Sequence, residues 1–90
     1  MEEKFLAALA TNREKAAALG VRIRPVPDLQ QAHRLLAGSR LSDGFGELAA
    51  KGRLDLTLEA LAVDKRYTVL FTDDEANNAL TRLLEAGYRF

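Results

Sequence analysis

The chain contains no cysteine, which excludes a disulfide framework and a thiolate metal site and leaves apolar burial to hold the fold. It has one histidine, His33; a lone imidazole makes a zinc centre only beside a carboxylate cluster, and nothing in the order of residues marks one. Formal net charge is zero, with 13 bases against 13 acids, so no overall field draws the chain to a polyanion. No apolar run approaches the ~20 residues that cross a bilayer. The opening Met1-Glu2-Glu3-Lys4 is acidic and polar, unlike the basic start of a secretory leader. No membrane association is expected, and a cytoplasmic location in a bacterial-type cell is.

What is present suits one packed domain over residues 1–90. Hydrophobic residues make up 48% and charged residues 29%, and a chain this short cannot divide its core. Charge is unevenly spread: residues 1–41 carry seven bases and four acids, residues 42–90 six bases and nine acids. Such polarity lets one half dock on the other, or lets copies associate head to tail.

Helical spacing dominates. Phe5, Leu6, Leu9 and Ala10 share a face that Ala16, Ala17 and Leu19 resume, so a first helix is expected over 2–19 with Gly20 as its stop. Thr11-Asn12 allows the alternative of two short helices, the second capped by Asn12. Val21 to Pro27 alternates apolar residues with arginine, and its two prolines limit it to an extended segment or an edge strand. Asp28 to Gln31 has the form of a capping box for a helix over 29–37, closed by Gly38. Leu41, Phe45, Leu48 and Ala49 mark a third helix ending at Gly52, with Ser39 or Ser42 as its cap. Gly44 and Gly46 each cost about 1 kcal/mol inside a helix, which favours a later start.

Asp55 or Thr57 caps a fourth helix carrying Leu58, Leu61 and Ala62, although Leu54, Leu56 and Leu58 also alternate as a strand does. Tyr67 to Phe71 has strand-like composition, yet Phe71 is placed as a hydrophobic staple before the next helix. Thr72-Asp73-Asp74-Glu75 is a capping box with three acids at the positive end of a helix over about 73–86. The fold expected is mostly α, a compact array of four to five short helices with one proline-bounded extended segment. A small ribbon pairing 21–26 with 67–71 would make it α+β. The expected core is Phe5, Leu9, Leu29, Leu36, Phe45, Leu48, Leu58, Leu61, Leu80, Leu83 and Leu84.

Candidate chemistry is sparse. His33 lies between core positions of a short helix, with no marked partner for general-base work. Ser39 and Ser42 lie in no G-x-S-x-G elbow, and helix capping explains them. Ser42 to Glu47 lacks both the Gly-Lys-Ser/Thr of a phosphate loop and the ligand spacing of an EF-hand. Asp73, Asp74 and Glu75 are adjacent rather than on one helical face, which suits a cap better than a metal. A helix-turn-helix about Gly52 would put Lys51 and Arg53 where that motif needs buried apolar residues.

No cofactor, metal or catalytic residue is therefore expected. The function expected is that of a small intracellular protein-interaction module, an adaptor or regulator acting on another protein or on copies of itself. Its candidate contact residues are Arg22, Ile23, Arg24 and Val26 on the extended segment, with Tyr67, Tyr88 and Phe90, because arginine and aromatic side chains dominate binding hot spots. The alternative is nucleic-acid binding by the stretch 13–40, where six bases face two acids.

Overall fold

The computed structural model describes residues 1–88 and contains five helices: α1 (Glu2–Ala18), α2 (Leu29–Ala37), α3 (Phe45–Ala50), α4 (Leu58–Ala62) and α5 (Asp73–Glu85). Leu54–Leu56 and Thr68–Leu70 form 3-10 turns, and no strand occurs among the described residues. The ribbon is thus not formed. Its second half, 67–71, coils into a turn that buries Tyr67 and Phe71 and leaves Val69 exposed.

α1 runs unbroken through Thr11-Asn12, because Phe5, Ala8, Leu9, Asn12, Ala16 and Leu19 recur at helical spacing along its inward face. It stops in a Schellman motif. The Val21 N–H reaches the Ala16 carbonyl at 2.9 Å and the Gly20 N–H reaches Ala17 at 3.0 Å, with Gly20 at φ 85°. Ala16 and Val21, both fully buried, pack across that turn, so the stop also sets the direction in which the extended segment leaves. The same pair of bonds ends α3 at Arg53 and α5 at Tyr88.

α2 is capped by the Asp28 carboxylate, which accepts the Gln31 N–H at 2.9 Å. Its C-terminal carbonyls lack partners within the helix, and α5 supplies them: Asn78 donates to Leu36, and Arg82 donates to Leu35, Leu36 and Gly38. α5 itself begins with a complete capping box between Thr72 and Glu75.

α4 lies at the centre, packed against α1 and α5, with every residue but Ala60 buried. Leu54 and Leu56, in the 3-10 turn that leads into α4, and Leu58, in its first turn, are all buried, so their alternation in the sequence reflects a turn and helix packed into the core and not a strand. Around α4 the largest core cluster gathers Phe5, Leu36, Leu61, Tyr67 and Phe71, with Phe5 edge-on to both Tyr67 and Phe71 at 5.5 and 5.2 Å.

Four expected core residues fall elsewhere. Leu9 and Leu29 are half-buried, while Leu80 and Leu84 are 36% and 56% exposed. The α5 leucines are displaced because the inward arc of that helix includes Glu75, Asn78 and Arg82, whose bonds to neighbouring elements rotate the apolar stripe toward solvent.

Candidate docking cleft

The extended segment is held at four points. Val21 is buried by the Schellman turn. Arg13 of α1 donates through Nε to the Ile23 carbonyl at 2.6 Å, and the Arg24 N–H donates to the Asp43 carboxylate at 2.8 Å. Gly44 then closes over the segment: a Cβ there would sit 3.0 Å from Cγ1 of both Val21 and Ile23, and its φ of 75° disfavours a side chain in any case. Pro25 and Pro27 remove two further backbone freedoms. The segment is therefore a rigid strap across α1.

Between strap and helix runs a cleft of about 80 Å³ whose apolar lining includes Leu6, Leu9, Ile23 and Val26. Arg13 and Ile23 continue it into an open hollow of about 240 Å³ bounded by Glu14, Ala17 and Arg22. Arg22 and Arg24 point outward as the strap's alternation requires, and neither forms an ion pair among the described residues. The result is an apolar floor edged by Arg13, Arg22 and Arg24, with Glu14 and Asp43 as the acids beside them, on a backbone held by hydrogen bonds before anything binds.

Four of the candidate contact residues, Arg22, Ile23, Arg24 and Val26, thus meet in one place. Tyr67 does not join them: it is only 7% exposed, packs on Phe5, and carries the Arg66 guanidinium 5.1 Å above its ring. Tyr88 is half-buried beside Leu83, and Phe90 lies outside the described residues. The sequence reading missed the α1 side of the cleft. Arg13 carries no motif, and its role depends on the Gly20 turn folding the strap back across the helix.

Two further clusters of charge are structural. Glu59 is fully buried on α4, where Arg82 donates to it at 3.3 Å and the Ser42 N–H at 3.0 Å, with the Ser42 hydroxyl completing its shell. A glutamate inside the apolar run Leu58 to Ala62 was the signal for this hub, and its partner 23 residues away carried none.

His33 contacts the Glu75 carboxylate at 2.7 Å and lies edge-on to Phe71. Burial raises the Glu75 carboxyl pKa, but the Thr72 N–H and His33 outweigh it and hold the group below its ordinary value. Ser42 is occupied by Glu59.

Other functional geometries find little support. Among the described residues no three His, Cys, Asp or Glu side chains are grouped to hold a metal ion, and no helix is long and apolar enough to cross a membrane. A hollow of about 570 Å³ at Met1, Lys4, Arg66 and Tyr67 is lined by no acid and no serine, threonine or cysteine nucleophile. The helix that a helix-turn-helix would insert into a groove is α4, which is buried. Comparison with protein-family models, curated proteins and solved structures returns no match.

Proposed function

We propose that this chain is a small cytoplasmic protein-interaction module, an adaptor or regulator without catalytic activity, that docks an acidic and apolar segment of another protein in the cleft between α1 and the 21–27 strap. The observation that carries the reading is the pair Arg22 and Arg24, exposed and in no ion pair among the described residues, on either side of Ile23 at the edge of a preformed apolar floor that Ile23 and Val26 help to line. Preorganisation matters because ordering a loop on binding costs affinity, and the bonds from Arg13 and Asp43 remove most of that cost beforehand. Arginine supplies the charged anchor and the half-buried Ile23 and Val26 supply area still to be desolvated.

Phosphate backbones would also meet Arg13, Arg22 and Arg24, but single-stranded nucleic acid further needs aromatic platforms. Phe5 and Tyr67, which are spent in the core, offer none. A protein segment is the better match.

The test is affinity capture from native lysate with wild type and with Arg22→Glu/Arg24→Glu, each with and without nuclease. A stoichiometric protein that survives nuclease and is lost with the double variant is the expected result. Equal capture by the variant contradicts the site, and capture abolished by nuclease moves the reading to nucleic acid.

A further inference from the structure

Among the described residues, no ion pair joins a lysine or arginine of the basic half to an acid of the acidic half. Among the described residues, the ion pairs between charged side chains other than His33 are Arg53–Asp55, Arg66–Asp64 and Arg82–Glu59, all within residues 42–90. No Lys or Arg side chain of residues 1–41 forms an ion pair with an acid of the other half; Arg24 meets Asp43 through its backbone N–H alone, and Lys15 acts on Asp55 only from beyond contact distance. Arg22 and Arg24 of the basic half, and Asp73, Asp74 and Glu85 of the acidic half, are exposed and in no ion pair among the described residues.

α5 displays that acidity. Asp73, Asn77, Leu80 and Leu84 recur at i, i+4, i+7 and i+11, which places them on one stripe of the helix. Leu84 is 56% and Leu80 36% exposed, and Asp73, Asp74 and Glu85 are exposed as well. The one base of α5, Arg82, is turned inward onto Glu59 and the α2 carbonyls. The outer face of α5 thus carries an apolar pair, Leu80 and Leu84, with acids at both ends of the helix, a counterpart to the cleft's apolar floor and its arginines.

We propose that the cleft takes α5 of a second copy of this chain, with Leu80 and Leu84 against Ile23 and Val26 and the α5 acids against Arg22 and Arg24. The inference rests on the cleft being a protein-docking site and names the partner. Because the two surfaces differ, the contact is head to tail, and each copy keeps one face free for the next. A standard interface covers about 800 Å² on each partner, a large share of a surface of 5771 Å². A narrow cleft and one helix face fall at the low end of that range, so association is weak, and its charged component weakens further with salt.

The test is sedimentation velocity on the full chain over rising concentration, for wild type, for Arg22→Glu/Arg24→Glu and for Leu84→Arg. Circular dichroism checks that each variant stays helical. Wild type is expected to sediment faster as it is concentrated and to slow again when salt is added. Each variant alone stays monomeric, and their mixture forms a one-to-one dimer and stops there, because each contributes its single intact face. A wild type that remains monomeric throughout overturns the proposal, as does assembly unaffected by either variant. A monomeric wild type that still captures a different protein through Arg22 and Arg24 overturns self-association alone and leaves the docking reading standing.

Discussion

Replacing Arg82 with methionine keeps most of the side chain's apolar stem and removes the charge that partners Glu59, a fully buried carboxylate. Glu59, fully buried, then loses its cationic partner while the Ser42 bonds remain. Breaking a buried pair by removing one partner costs about 3 to 5 kcal/mol, because the remaining charge stays desolvated. The α2 carbonyls add less: Leu36 keeps Asn78, and the loss at Leu35 and Gly38 contributes about 1 kcal/mol at most once water replaces the guanidinium. Against a total stability of order 5 to 15 kcal/mol, a loss of about 4 kcal/mol is severe.

Urea unfolding followed by circular dichroism at neutral pH reads it directly: with a slope of about 1.5 kcal/mol/M, the midpoint falls by about 2 to 3 M. Arg53→Met, which removes an exposed pair, leaves the midpoint unchanged. The double variant Glu59→Gln/Arg82→Met loses less than the sum of its parts, since the stranded charge is gone. A midpoint shift for Arg82→Met below about 0.5 M, which is under 1 kcal/mol at that slope, or strict additivity of the cycle, refutes the argument.

Gly44→Ala combines a φ of 75° with a Cβ 3.0 Å from Val21 and Ile23, and left-handed backbone alone costs about 1 to 2 kcal/mol; thermal unfolding should show a clear drop, and an unchanged melting temperature contradicts the close approach. Thr72→Ala removes the acceptor for the Glu75 N–H and is expected to cost about 1 kcal/mol by the same assay. Glu75 has a lowered carboxyl pKa, so its stabilising contribution is complete above the ordinary carboxylate value of about 4.3 and is lost as pH falls through the lower folded value. Denaturation midpoints measured from neutral pH downward should therefore fall less steeply in Glu75→Gln than in wild type. Arg22→Glu/Arg24→Glu, altering exposed side chains that form no ion pair among the described residues, should leave the stability within about 0.5 kcal/mol of wild type.

The elements that were legible in the sequence are those whose signals are local. The Asp28 cap, the Thr72–Glu75 box and the stop after Ala18 each involve residues within a few positions, and each forms in the structure with its hydrogen bonds in place. What was not legible depends on distant partners. Leu80 and Leu84 fit the apolar stripe of an isolated α5, and only the reach of Asn78 and Arg82 to the end of α2, more than 40 residues away, rotates them outward. Tyr67 to Phe71 has the composition of a strand, but among the described residues there is no strand to pair with it, and the aromatics instead close around Phe5. The cleft was half visible: alternation in Val21 to Pro27 marked Arg22, Ile23, Arg24 and Val26, whereas Arg13, Asp43 and Gly44 enter only through the path of the chain after Gly20.

The claim that the strap and α1 form the docking face is tested most directly by amide hydrogen exchange on the chain with and without its captured partner. In the free chain the N–H groups of Arg22, Ile23 and Val26 donate to no acceptor among the described residues, so they exchange fast and any protection there comes from the partner. The account predicts new protection at these amides and slower exchange along the α1 turn that carries Leu9 and Arg13. Protection confined to other elements, with Arg22, Ile23 and Val26 still exchanging as in the free chain, would contradict it.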